Sequence, residues 1–443
     1  METTPSYRKI WNISYPIILS LLAQNIITVI DTAFLGRVGE VELGASAIGG
    51  LFYFAIFMLG FGFGTGAQIL MARRNGEKDY PAIGRIFDHT MYIFVAMSFI
   101  LIGLILWFSP IFLGLFVSSK EIYHASIEYL DYRMWGILFA FTNVAFRAFF
   151  VGITKTKLLG YSAAIMAVVN IGLDYLLIFG HYGFPEMGIA GAALASVIAE
   201  GVSALFFIAA ASYHHFSKKY HIFKLPKFNK EIIVQTWHIS VFIMLQNFVS
   251  IAGWFLFFLI IEQTGERPLA ISNIVRSLYM LLMIHIWSFS ASVNTLVSNT
   301  IGEGRPGQVI PIISKVNKLS LMISIGVMAI SLSFPEFLIR IYTDDAGLIE
   351  DALPVLYVVT GALLPLSMSI NWFSGVSGTA NTKVALLIEV STIILYMAYV
   401  FVMTFTFNTS LAVIWTSEYV YIITLGLFSY LYLKFGNWKE KKV

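Results

Sequence analysis

Gln24–Gly36 reads QNIITVIDTAFLG and forms the second half of an apolar segment in which Asp31 is the only charged residue between Ile13 and Leu35. A run of that length spans a bilayer, which places Asp31 at membrane depth. A carboxylate there costs about 2.5–3.5 kcal/mol on insertion scales, a cost that a purely structural helix has no reason to carry. Gln24, Thr28 and Asp31 fall at i, i+4 and i+7, on one helical face. The pattern points to an ion- or proton-linked role over a simple helix-packing hydrogen bond.

The rest of the chain agrees with that setting. Of its 443 residues 58% are hydrophobic and 12% charged, against about 25% charged in soluble domains, and the mean hydropathy is +0.80. This is the composition of an all-α polytopic membrane protein. There are no cysteines, so disulfides and thiolate metal sites are excluded. The net charge of +3 reflects loop chemistry and implies no nucleic-acid partner. The start of the chain, with Arg8 and Lys9 before a full-length span, reads as a signal anchor and not as a cleaved signal.

A window of about 19 residues predicts twelve spans: 13–35, 43–72, 88–110, 122–150, 158–180, 187–213, 234–261, 269–301, 316–335, 351–377, 383–407 and 410–433. Connections on the side of the termini carry 21 Lys and Arg, and the opposite side carries four: Arg37, Lys120, Arg267 and Arg340. Basic residues stay in the cytoplasm, so both termini are expected there, in a multi-pass protein of the cell (inner) membrane.

The longest polar connection, HHFSKKYHIFKLPKFNK at 214–230, separates residues 1–213 from 231–443. The two parts are related. Gly39-Glu40 recurs as Gly265-Glu266, Gly76-Glu77 as Gly302-Glu303, Gly152…Lys157 as Gly378…Lys383, and Trp11 with Ser14 as Trp237 with Ser240. All four pairs have the same separation. A constant offset over four sites is the mark of an internal duplication. Six spans per repeat preserve topology, so two six-helix lobes are expected, related by a pseudo-two-fold axis along the membrane normal.

Embedded acids are few: Asp31, Asp174, Glu200, Glu389 and Glu418. Asp174 lies in the fifth span with Asn170 one turn earlier, at a depth matching Asp31. Two carboxyls close together in a low-dielectric site cannot both ionise cheaply, so such a pair can hold and release one proton. The second repeat lacks the pair, having Phe257 and Val400 at the corresponding positions. Glu200 is open between a relay and a buried hydrogen bond. Glu389 reads as snorkelling or pairing with Lys383, and Glu418, near Thr416 and Ser417, is open between a cavity residue of the second repeat and a structural one. Arg147 is a possible partner for the first-repeat carboxyls, and His285 a structural hydrogen-bonder or second proton carrier. The run GFGFGTG at Gly60–Gly66 lies inside a span and reads as close helix packing, as does GIAGAALAS at Gly188–Ser196. No zinc spacing, phosphate loop or nucleophile motif occurs, so no catalytic or metal residue and no enzyme activity is expected. Tyr53, Phe139, Asn143, Phe146, Arg147, Met166, Met280, Met283, Trp287 and Met368 are candidates for an adaptable substrate chamber.

The first-span pattern Asp31-Thr-Ala-Phe-Leu-Gly36, the Gly-Glu motifs, the two Gly-x-x-x-Thr-Lys-type repeats and the twelve-span duplication resemble the multidrug and toxic compound extrusion (MATE) transporters, and within them the DinF-like branch. The resemblance covers essentially the whole chain. It implies a V-shaped pair of lobes exporting amphipathic, often cationic small molecules in exchange for H+ or Na+, with no cofactor. It maps a coupling cluster in the first lobe onto Asp31, Asn170 and Asp174, with Gln24 beside them. The related NorM-like branch carries cation-binding carboxylates in the seventh and tenth spans; their absence here favours H+, with Na+ as the alternative. A lipid or lipid-linked oligosaccharide flippase is the other transport reading, weakened by having only Arg133, Arg147 and Arg276 as intramembrane cations. Beyond substrate and bilayer no partner is implied, and a monomer is expected.

Overall fold

The computed structural model describes residues 4–439, and these contain helices and no strand. In order they are α1 (Tyr7–Val38), α2 (Glu40–Gly76), α3 (Tyr80–Phe116), α4 (Lys120–Arg133), α5 (Gly136–Gly152), α6 (Lys157–Phe179), α7 (Gly188–Tyr213) and α8 (Phe216–Tyr220). The second repeat supplies α9 (Lys230–Glu262), α10 (Glu266–Leu282), α11 (Ile284–Gly302), α12 (Val309–Ser333), α13 (Pro335–Arg340), α14 (Ala346–Gly378), α15 (Thr382–Phe401), α16 (Leu411–Trp415) and α17 (Ser417–Phe435). Ten of the described helices are long and apolar enough to cross a membrane, and up to twelve spans result if each of two bent helix pairs is one span. The protein is a multi-pass membrane protein.

The duplication is visible in the helix ends. Shifting α2, Glu40–Gly76, by the interval from Gly39 to Gly265 lands on Glu266 and Gly302, the outer limits of α10 and α11. The same shift carries Lys120 and Gly152, the limits of α4 and α5, onto Ala346 and Gly378, the limits of α14. The copies differ in continuity. The fourth span bends by 52° between α4 and α5, and the eighth by 47° between α10 and α11, whereas α2 is unbroken and α14 runs on through Pro354 and Pro365. The continuous spans expected at 122–150 and 269–301 are corrected accordingly.

The chain forms two compact units, Tyr15–Ser240 and Met1–Ser14 with Val241–Val443. The beginnings of α1 and α9 thus belong with the opposite repeat, for a reason that the packing shows twice. In the second unit Ile10 and Ile13 join a core with Phe289, Val293 and Leu296, Ser14 Oγ bonds Ser292 Oγ at 2.8 Å, and Ser288 donates to the Ser14 carbonyl at 2.6 Å. In the first unit the repeat-equivalent Ser240 donates to the Phe63 carbonyl at 3.0 Å, and Trp237 packs on Phe63 with ring centroids 5.8 Å apart. Gly66, equivalent to Ser292, lies flush against Ser240, where any Cβ would overlap it. Gly60 and Gly64 likewise face Phe141 and Val144 of α5. The glycine run serves close packing, as its spacing indicates.

The polar connection after α8 is clamped to the start of α3 within the first unit. Asp88, 2% exposed, accepts three successive backbone N–H groups, from Phe223 (2.8 Å), Lys224 (3.0 Å) and Leu225 (3.1 Å). Phe223 and Leu225 hold the left-handed conformation that turns successive N–H groups into an anion-binding nest. His89 Nε2 accepts from the Asn229 N–H at 2.9 Å, and Tyr92 donates to the Pro226 carbonyl at 3.1 Å. Hydrogen bonds to a charged acceptor contribute about 1.5–3 kcal/mol each. Asp88→Ala is therefore expected to speed tryptic cleavage at Lys224 and Lys227 by at least about tenfold, one factor of ten per roughly 1.4 kcal/mol. Unchanged cleavage kinetics would show that the clamp does not hold the segment.

Candidate functional site

The site is built where α6 packs on α7. Gly191 of α7 meets the backbone of Leu177 so closely that a Cβ would overlap the Leu177 carbonyl, and the Ser162 and Ser203 hydroxyls bond across the same pair at 2.6 Å. Gly180 ends α6 in the left-handed conformation at φ 68°, a residue position that favours glycine. Held this way, α6 turns Asn170 and Asp174 to the interior, with Asp174 0% exposed. From α1, Asp31 brings its carboxyl within hydrogen-bonding reach of Asp174. Two acids that lie four spans apart in the sequence therefore meet.

The polar capacity of this cluster is incompletely used. Asn170 donates to Ser196 Oγ at 3.4 Å, but its Oδ1, Asp31 Oδ1 and both Asp174 oxygens receive no hydrogen bond from the protein. Two carboxyls can bond each other only through a shared proton, since an ionised pair offers acceptors alone. Buried polar atoms are ordinarily satisfied, and four unpartnered oxygens stand together here.

Beside the acids stands an ion pair that sequence reasoning did not assemble. Arg133, the last residue of α4, forms two bonds to Glu200 of α7, at 2.9 and 2.6 Å. Its guanidinium lies 3.9 Å from the Tyr53 ring centroid and faces the Tyr129 phenol, and its charge bears on Asp31. The bend between α4 and α5 places it there: Gly136 opens α5 beside the pair, and a Cβ on that residue would overlap both the guanidinium and the Glu200 carboxylate. Asn143 continues the network, donating to the Glu200 carbonyl at 3.0 Å and accepting from Ser203 at 3.1 Å. The legible signal was that Arg133 and Glu200 are opposite charges of the fourth and sixth spans.

Other expected positions fall out as follows. Gln24 is exposed on α1, and Thr28 bonds its carbonyl at 3.1 Å. Arg147 does not reach the carboxyls but lies over the Phe61 ring at 4.8 Å; Arg133, nearer to them, is paired with Glu200. Phe146 is corrected from a chamber residue to a core residue, fully buried against Phe87, Phe150 and Phe207. Tyr53 is covered by Arg133, and Phe139 and Met166 are half-buried. In the other unit Met280 and Met368 are exposed, Trp287 is half-buried, and Met283 sits at the break between α10 and α11. His285 bonds Ser324 Oγ at 2.7 Å. Glu389 neither snorkels nor pairs with Lys383: it is 1% exposed and accepts from Ser250 and Tyr421.

A duplicated bundle of this kind, with a buried acid pair in the first copy, is the architecture of a membrane transporter. The MatE family model matches the chain twice, over residues 16–176 and 242–402, and the second match is displaced from the first by the same interval as the repeated motifs. The chain belongs to the MatE family, which comprises transporters and not enzymes. The probable multidrug resistance protein NorM of Thermotoga maritima is 26% identical over all of this chain and 95% of its own. Among solved structures, a MATE transporter in complex with MaL6 superposes with a TM-score of 0.88 at 17% identity, covering 96% of this chain and 95% of the other. A MOP-superfamily transporter from Pyrococcus furiosus superposes at 0.87 with 16% identity over 98% of both chains. At such identities the two structures carry the fold alone.

Proposed function

We propose that this protein is a DinF-like drug exporter of the cell membrane, with both termini cytoplasmic, that expels amphipathic, often cationic compounds in exchange for protons. The observation that carries the reading is the approach of the Asp31 and Asp174 carboxyls in a buried site with no ion-pair partner on either among the described residues. Export of multiple drugs rests on the family and on relatives named as multidrug resistance proteins.

In this reading a shared proton ties α1 to α6, and its loss frees two negative charges that repel. Proton and substrate then favour different conformations, and their fluxes are linked through that differential affinity. Uptake of a proton from outside drives drug release; deprotonation inside restores the drug-binding form.

The four unpartnered oxygens of Asp31, Asp174 and Asn170 also fit a dehydrated monovalent cation, which makes Na+ the second reading. Proteoliposomes separate the two. An imposed proton gradient without sodium is expected to drive efflux of a fluorescent lipophilic cation, and a sodium gradient at equal pH is not. The reverse result would replace the coupling ion, and efflux under neither gradient would remove the antiport reading.

A further inference from the structure

The second unit holds two carboxyls of its own that the Asp31–Asp174 site does not use. Glu389 of α15 and Glu418 of α17 are 1% and 6% exposed, and among the described residues neither makes an ion pair. Glu389 Oε1 accepts from the Ser250 hydroxyl of α9 and, at 3.0 Å, from the Tyr421 phenol of α17. Its Oε2 has no partner. Glu418 accepts from the Tyr279 phenol of α10 at 3.3 Å, and the Tyr396 phenol of α15 also faces it. The Tyr396 and Tyr421 rings pack edge to face at 6.0 Å, so the two carboxyls are linked through a pair of packed phenols between Ser250 and Tyr279. The Ser417 hydroxyl, fully buried, is turned to the same Tyr396.

We propose that Glu389 and Glu418 form a second proton-binding site, in the C-terminal unit and independent of the first. The groups facing them are Ser250, Tyr279, Tyr396, Ser417 and Tyr421; the arginine on α10, Arg276, lies over Phe258 at 5.2 Å instead. Two ionised carboxylates in this setting would have hydrogen bonds but no ion-pair partner, and so carry much of the cost of a buried charge. A proton on each removes that cost, needs no cavity, and has an acceptor-competent oxygen waiting in Glu389 Oε2. The phenols can donate to an ionised carboxyl or accept from a protonated one, so the chain tolerates both states. The inference rests on the proton-coupled reading above and adds to it a store of protons that the coupling acids do not supply.

The test is infrared difference spectroscopy, acid minus alkaline, on the purified full-length protein in nanodiscs. Wild type is expected to show carboxylic C=O bands of which one component vanishes in Glu389→Gln and another in Glu418→Gln, while both persist in the Asp31→Asn/Asp174→Asn variant. Glutamine keeps an acceptor oxygen for Ser250 and Tyr421 at position 389 and for Tyr279 at position 418, so both variants should fold. Should either fail to, carbodiimide labelling of the wild type, mapped by mass spectrometry, reads the same property and is expected at Glu389 and Glu418 in acid only. Unchanged spectra in both Gln variants would overturn the proposal. So would loss of the two bands on adding sodium at constant pH, which would make this a monovalent-cation site. Persistence of the bands in a protein that fails proton-driven efflux would leave this site standing while removing the antiport reading.

Discussion

Asp174→Asn is expected to fold like the wild type and to lose gradient-driven export, and Asp31→Asn to do the same. The amide that replaces either carboxyl can donate to the one that remains, so the contact between α1 and α6 persists without an exchangeable proton. The variant is thereby held in the proton-loaded arrangement. Coupling free energies between sites commonly amount to about 1–3 kcal/mol, or 5–150-fold in affinity. Drug affinity in the wild type is accordingly expected to rise by a factor in that range from acidic to alkaline buffer. In Asp174→Asn it is expected to stay at the weak, acidic value throughout. Equilibrium binding of a fluorescent substrate checks this without any gradient. A variant whose affinity still climbs on alkalinisation would show that the acid pair is structural. Asp174→Ala is the informative contrast: it leaves the Asp31 carboxyl facing a buried gap and should cost stability as well as transport.

The second large effect belongs to Arg133. Removing one partner of a buried ion pair typically costs about 3–5 kcal/mol, because the other charge is left uncompensated. Arg133→Ala strands Glu200 and removes the cation over Tyr53, so a loss of that order is expected in thermal unfolding. Arg133→Lys should recover little, since a point charge cannot form two parallel bonds and stack on a ring together. Gly136→Ala is expected to cost less than Arg133→Ala, because the added carbon meets the ends of two flexible side chains, which can move aside while staying paired. The double variant Arg133→Leu/Glu200→Leu is expected to be far more stable than the sum of the single losses, as apolar replacements of buried pairs commonly are. Additive losses in that cycle would mean that the two residues act separately, and that the geometry at the bend has another cause.

Much of this is legible in the chain itself. Hydropathy located ten membrane-length helices and, as broken pairs, the fourth and eighth spans, because about twenty consecutive apolar residues have few alternatives to a bilayer. The constant interval between repeated motifs located both copies, and the outer limits of α2 and of the α4–α5 pair repeat it to the residue. Asp31 and Asp174 stood out because a carboxylate in such surroundings is expensive wherever it points. Residue spacing on a helix also placed Asn170 with Asp174, one turn apart, since periodicity is a local property.

What the chain alone left open concerns which residues meet across many positions. That Arg133 and not Arg147 stands beside the acid cluster, paired with Glu200, goes with a 52° bend that no proline announces, while Arg147 lies over Phe61. That Phe146 is core, and that Glu389 is enclosed by Ser250 and Tyr421, depends on the rotation of each helix about its axis, and a near-uniform apolar composition does not encode that rotation. The exchanged starts of α1 and α9 follow from tight fits, Ser14 on Ser292 and Ser240 on Gly66. Sequence by itself determined the spans, the duplication and the costly acids, because each is a property of a single segment in its solvent. Tertiary structure decided the partners, because pairing depends on the packing of segments far apart in the chain.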